Sequence, residues 1–200
     1  MKQTKGQMTQ ERIVKSAISL ISKLGIEKTT FAEIAVMAEI KAPAILNYFK
    51  TKDEIIMGCL NYVLRSNQAY FAQELRMQDS AVKDLMAYAR ANVKWALDNQ
   101  DQAQLIIDLY SRSLFDQQFR EINLKIVLGA REKIKTILLY IKREKPEVFE
   151  HKEIDLYTRL IHDFITGAIL TTIVSKESKK ATELKEFEER FHLFIQVLLK

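Results

Sequence analysis

Thr29-Thr30-Phe31-Ala32-Glu33-Ile34-Ala35-Val36-Met37-Ala38-Glu39-Ile40-Lys41-Ala42-Pro43-Ala44-Ile45-Leu46-Asn47-Tyr48-Phe49-Lys50-Thr51-Lys52-Asp53-Glu54-Ile55 reads as two short helices joined by a tight turn, followed by the start of a third. Thr30 with Glu33 three residues on is a capping box, in which the hydroxyl accepts from a free backbone N–H and the carboxylate reaches back. A helix is therefore predicted from Phe31. Phe31, Ile34, Ala35 and Ala38 recur at i, i+3, i+4 and i+7, which turns one apolar stripe inward and ends the helix near Ala38. Pro43 lacks an amide hydrogen and has a fixed φ, so it suits the first turn of a new helix and disfavours helical geometry at Ala42. The turn then lies around residues 39–42. Ile45 and Phe49 face inward on the second helix, which leaves Lys41, Ala42, Ala44, Asn47 and Tyr48 outward or flanking. Thr51 and Glu54 form a second capping box for the next helix.

Two short helices crossing through so short a turn are a helix-turn-helix, and the second is the size that enters a DNA major groove. The residue types suit that task. Asn47 can pair bidentately with adenine, Lys41 can donate to guanine or phosphate, and the methyls of Ala42 and Ala44 can meet thymine. Lys52, at the positive start of the following helix, and Thr30 with the amides after it can meet phosphates. Charge agrees with this reading. Residues 1–52 carry nine Lys or Arg against four acids, while the remaining 148 residues balance, so the whole net charge of +5 sits on this quarter. A quarter that faces a polyanion is expected to look like this.

The stretch from Arg12 to about Ile55 resembles the tetracycline-repressor (TetR) family of bacterial regulators. The likeness rests on Ile13, Ala17, Leu20 and Gly25 in the preceding helix, then Thr29-Thr30, Ile34-Ala35, Ala38, Ile40, and Tyr48-Phe49 with Lys52. It implies Tyr48 as a contact to the DNA backbone, a helical ligand-binding body, and a homodimer built on a four-helix bundle. Three residues depart from the family pattern. Glu39 stands where a small residue is usual, Pro43 where glycine is, and Leu46 where tyrosine is, which removes a hydroxyl that often meets phosphate.

Composition bounds the rest. Two hundred residues with 48% apolar side chains, two prolines, five glycines and few alternating runs predict an all-α fold of about nine helices. One cysteine, Cys59, allows no disulfide within the chain and fits a reducing cytoplasm. No apolar run reaches the roughly 18 to 20 residues of a membrane span, so no membrane partner is expected. Nucleotide-loop, zinc-ligand and nucleophile-elbow patterns are missing, so neither an enzyme nor a cofactor is expected. Cys59 reads as a structural thiol. His162 and Asp163 are adjacent on a helix and are expected to point apart.

The expected division is a helix-turn-helix domain over 1–52 and a helical effector-binding and dimerisation domain over 53–200. Residues 1–8 read as a loose arm, with Thr9 capping a first helix whose inner face is Ile13, Ala17, Leu20, Ile21 and Leu24 and which Gly25 ends. A long helix to about Met77 follows, then helices opened by Asp79 or Ser80, by Asp101 and by Asp116. The last two run from about Glu153 to Val174 and from Thr182, across a polar loop. Tyr88, Trp95, Tyr110 and Phe115, with Asp108, are candidates to line a site for a small-molecule effector whose identity the residues do not name, with Met57, Met77, Met86 and Gly129 helping it adapt. Leu184, Phe187, Phe191, Phe194 and Leu198, facing Leu160, Phe164, Gly167 and Ala168, are candidates for the dimer seam. The function expected is a ligand-responsive repressor that binds a palindromic double-stranded operator as a homodimer. The alternative is a helical DNA-associated protein that takes no effector and serves chromosome organisation or keeps a vestigial head.

Overall fold

The computed structural model describes residues 4–74, 79–147, 153–174 and 180–199, and every regular α-helical or strand element among them is an α-helix. They are α1 (Lys5–Leu24), α2 (Phe31–Met37), α3 (Ala42–Ile45), α4 (Lys52–Glu74), α5 (Ala81–Asp98), α6 (Gln100–Arg112), α7 (Gln117–Glu144), α8 (Ile154–Val174) and α9 (Lys180–Leu198). None of the described helices is long and apolar enough to cross a membrane. The expected stretch to Met77, the loop at 175–179 and His151 lie outside the described residues.

The chain forms two compact units. One holds the chain up to Gln68 with Asp101–Asp108, and the other holds Ala69–Gln100 with the chain from Leu109 on. The division differs from the expected break after residue 52, because α4 and α6 each contribute to both units.

In the first unit, α1 begins four residues before the expected cap. Thr4 and Gln7 make a capping box, with the Gln7 amide donating to Thr4 Oγ1 at 3.2 Å and the Thr4 amide to Gln7 Oε1 at 2.9 Å. Glutamine takes the place of glutamate in this box. Thr9 is inside the helix, where its hydroxyl donates to Lys5 O. The inner face is buried as expected at Ile13, Ala17, Leu20 and Ile21, whereas Leu24 is exposed. Gly25 closes the helix at φ 80°, ψ 161°, a conformation that glycine alone adopts without strain. α1 also packs on α4: Gly58 lies so close that a Cβ there would meet Phe49 Cε1 at 2.9 Å and Val14 Cγ2 at 3.2 Å. Cys59 beside it is fully buried, and burial pushes its thiol up to about 12.

In the second unit α5 packs against α7, α8 and α9, and α7 packs against α8. Its core includes Leu85, Ala89, Ile134, Leu138, Ile161, Phe187 and Phe191. Ser80 caps α5 and Asp116 caps α7, as the sequence predicts. Glu144, at the far end of α7, also accepts from the Ala81 amide at 3.1 and 3.2 Å, which satisfies an orphan donor at the start of α5. The expected cap at Asp101 is a correction. Asn99 is the joint between α5 and α6, its amide and Nδ2 both donate to Trp95 O, and Asp101 falls in the first turn of α6.

Candidate nucleic-acid interface

The head turns on a backbone motif. After α2, Glu39 sits at φ 54° and the Ile40 amide donates to Ala35 O at 3.0 Å, six residues closing one loop. This is a Schellman ending with a glutamate where glycine is usual, so the left-handed position is strained. Lys41 then enters extended at φ −72°, ψ 137°, and Pro43 occupies the first turn of α3. Beyond Ile45 the helix tightens, with Asn47 donating to Ala44 O and Tyr48 to Ile45 O. Ile45 and Phe49 are buried at 0% and 4% exposure, anchoring one side. The opposite side is Ala42, Pro43, Leu46 and Asn47, all exposed, with Ala44 and Tyr48 half-buried on the flank.

The phosphate candidates are tied in differently from one another. Lys52 Nζ donates to Glu27 O at 2.9 Å, so this cation is held beside the α1–α2 turn as well as at the start of α4. Thr30 caps α2 as expected, but its hydroxyl also donates to Glu33 Oε2 at 2.8 Å, and the Thr30 amide donates to the same oxygen. These bonds hold the Glu33 carboxyl below its usual range. At α4 the Glu54 amide donates to Thr51 Oγ1 at 3.1 Å, but the Glu54 carboxylate takes the Lys50 amide rather than that of Thr51. The reciprocal box is thus shifted by one residue. Lys50, overlooked in the sequence, turns its ammonium onto Leu46 O at the end of α3, where a cation complements free carbonyls.

With that geometry in place, the comparisons are specific. The family model for bacterial regulatory proteins of the tetR family matches residues 13–57. Residues 13–57 are therefore similar to the DNA-binding head of that family. It is 24% identical over 83 residues to the HTH-type transcriptional regulator LuxR of Vibrio harveyi, a match spanning 42% of this chain and 37% of the length of that relative. Among solved structures, a TetR transcription regulator from Haloarcula marismortui superposes with TM-score 0.81 at 16% identity, over 96% of this chain and 99% of the other. GusR of Salmonella enterica gives 0.75 at 15%, over 100% and 99%. A protein from Saccharomonospora viridis in complex with choline gives 0.77 at 15%, over 91% and 94%. The likeness in fold to these structures therefore runs well beyond the head.

The five effector candidates are placed differently from one another. Tyr88 stacks on Phe71 at 5.4 Å and is core. Trp95 is buried, while Asp108 belongs to the first unit. Phe115 is a correction: it ends the turn after α6 and is 88% exposed, so it lines no interior. Gly129, likewise, is on the surface of α7. Burial pushes the Tyr110 hydroxyl up, with smaller opposed effects from Arg131 and Asp163. Arg131 Nη2 meets Asp163 Oδ1 at 3.5 Å, and His162 Nδ1 lies 3.0 Å from the same oxygen. The adjacent His162 and Asp163 thus meet rather than point apart, since the exposed carboxylate swings back over the buried ring. Trp95 Nε1, Asn123 Oδ1, Arg131 Nε and Thr158 Oγ1 are buried with no hydrogen-bond partner among the described residues. Polar atoms on inward stripes of α7 and α8 leave no periodicity signal, which is why the sequence did not disclose them.

The dimer candidates divide as well. Phe187 and Phe191 are 1% and 0% exposed and pack with Phe164 and Phe194 in an aromatic cluster, and Ala168 is buried. These are corrections, because α9 spends its apolar seam on the core of its own chain. Leu160 is exposed, and Gly167, Leu184 and Leu198 are half-buried. The outer apolar stripe of α8 is Leu156, Leu160, Leu170 and Val174, with Gly167 amid them and no atom within 4 Å of where its Cβ would be. Leu193 and Val197 expose a matching pair on α9.

Proposed function

We propose that this chain is a ligand-responsive transcriptional repressor that binds a palindromic operator as a homodimer. The observation that carries the reading is the outward side of α3, where Asn47 stands among exposed small and apolar side chains over the buried anchors Ile45 and Phe49. The head around it holds the entire net positive charge. Lys52 and Lys41 serve the phosphates and Asn47 the base edges, with Tyr48 beside the backbone. Thr30 is the weakest phosphate contact of the set, because its hydroxyl and amide already serve Glu33.

Dimerisation is supported by the outer stripe of α8 and α9, from Leu156 to Val174 with Leu193 and Val197, which no helix of the chain covers among the described residues. A two-fold axis there makes one patch self-complementary and presents two heads to two half-sites. An effector role is supported by the buried polar atoms of α5, α7 and α8, which are costly to leave unpaired in an apolar interior. Such an effector controls DNA binding only if it prefers one of two arrangements of the body.

Footprinting on the DNA flanking the chain's own gene, with sedimentation of the free protein, tests the proposal. Two protected half-sites related by symmetry and a dimer that Leu160→Asp dissociates are expected. A monomeric chain, or protection without paired half-sites, overturns the dimeric operator reading.

A further inference from the structure

We infer that the outward side of α3 reads A·T base pairs through the C5-methyl group of thymine, with Leu46 as the reading side chain and Asn47 fixing an adenine beside it. This rests on the DNA-binding reading above and names the sequence class it selects.

Rotation about α3 separates the roles. Taking buried Ile45 as the inward direction, 100° per residue puts Pro43 and Asn47 across the far side and Leu46 and Ala44 at its two edges. Exposure agrees, with Leu46 at 45% and Ala42, Pro43 and Asn47 exposed while Ala44 is half-buried. A single exposed leucine is ordinary on a protein surface. Here it stands beside exposed Pro43 as the largest exposed apolar side chain of α3 and its C-cap, on a head that otherwise carries an excess of cations. The cations lie at the margins. Lys41 precedes the helix, Lys50 is turned onto the carbonyl oxygen of Leu46, and Lys52 is held by Glu27 O. Leu46 and Pro43 thus make an apolar patch beside Asn47, with cations around it.

A major groove displays one apolar group, the methyl of thymine. A G·C pair offers guanine N7 and O6 with the cytosine amine, and reading it needs a matching donor and acceptor. Apart from Asn47, the outward residues supply neither, and Lys41 reaches from the edge. Pressed against Leu46, the guanine acceptors lose water without gaining a partner, which costs more than the methyl contact gains. The same side chain therefore favours thymine and penalises guanine. Asn47, one position on, has the amide that pairs with adenine N6 and N7.

The test uses a duplex recovered by selection from a random library, remade with deoxyuridine in place of thymine one position at a time. This deletes the methyl and leaves the pairing edge intact, so folding of a variant is not at issue. At the thymine under Leu46 the wild-type chain is expected to bind about fourfold more weakly, the effect of one buried methyl-sized group. Leu46→Ala should bind the thymine and uridine duplexes alike, while Asn47→Ala keeps the thymine preference and tolerates loss of the adenine. A selected half-site rich in G·C, or uridine duplexes bound as well as thymine ones throughout, overturns the methyl reading and leaves DNA binding standing. A Leu46→Ala variant that keeps the full thymine preference overturns the assignment to Leu46. Failure to enrich any duplex at low salt removes the DNA-binding reading itself.

Discussion

Gly58→Ala should destabilise the head, although alanine is the better helix former. Two opposing terms set the size. Replacing a mid-helix glycine by alanine gains about 1 kcal/mol from backbone entropy. Against this, the new Cβ would stand 2.9 Å from Phe49 Cε1 and 3.2 Å from both Phe49 Cζ and Val14 Cγ2. Phe49 is 4% exposed and Val14 5%, so neither can swing into solvent, and overpacking of this kind costs about 1–3 kcal/mol. Gly129 in α7 supplies the control, because it is exposed and a Cβ there meets nothing within 4 Å. Gly129→Ala therefore keeps only the propensity gain, and the two variants should differ by about 2 kcal/mol, roughly 4–8 °C in melting temperature for a chain of this length. Thermal unfolding followed by circular dichroism reads the difference. Phe49 also braces the inner side of α3, so Gly58→Ala should lower DNA affinity more than Gly129→Ala does. Equal shifts of the same sign for both variants would refute the packing argument.

Three further outcomes follow from the head. Glu39→Gly should raise stability by about 1 kcal/mol by relieving the left-handed residue of the helix-turn-helix turn, measured by urea denaturation, and a loss would contradict the strain assigned there. Thr30→Val removes the hydroxyl that lowers the Glu33 carboxyl, so by NMR titration that carboxyl should rise toward its ordinary value. Since a depressed carboxyl stabilises above its unfolded pKa and loses this as pH falls through the folded one, the stability gap between wild type and Thr30→Val should be full at neutral pH and narrow in acid to the loss of the Thr30 cap itself. Cys59, with its thiol pushed up to about 12 and no exposure, should resist alkylation until the chain opens, and rapid labelling of the native protein would contradict its burial.

The head was the most legible part of the sequence because its signals are local. The Thr30–Glu33 box, Gly25, Pro43 and the pair Ile45 and Phe49 each act within four residues and stand where their spacing puts them, except that Ala42, expected in the turn before Pro43, opens α3. Signals with two solutions were misread. Gln7 serves as well as an acid in a capping box, so α1 began early at Thr4. The seam through Phe187 and Phe191 has the spacing of any helix with one buried side, and only packing tells its own core from the surface of a partner. The residues left outside, such as Leu193 and Val197, show as apolar positions off that seam. Effector candidates were the least legible. Arg131 and His162 come together from α7 and α8, far apart in sequence, and aromatic residues drew attention that Tyr88 owes to plain stacking on Phe71.

The central claim is that α3 reads base edges while the residues around it hold the backbone. Salt-titrated binding of wild type, Asn47→Ala and Lys52→Ala to a selected duplex and to a scrambled one tests it most directly. Asn47→Ala should lose the adenine-dependent part of the preference between the two duplexes and keep the salt slope. Lys52→Ala should weaken both duplexes alike and flatten the slope by about one. An Asn47→Ala variant that weakens on both duplexes equally, with its preference intact, would contradict the account.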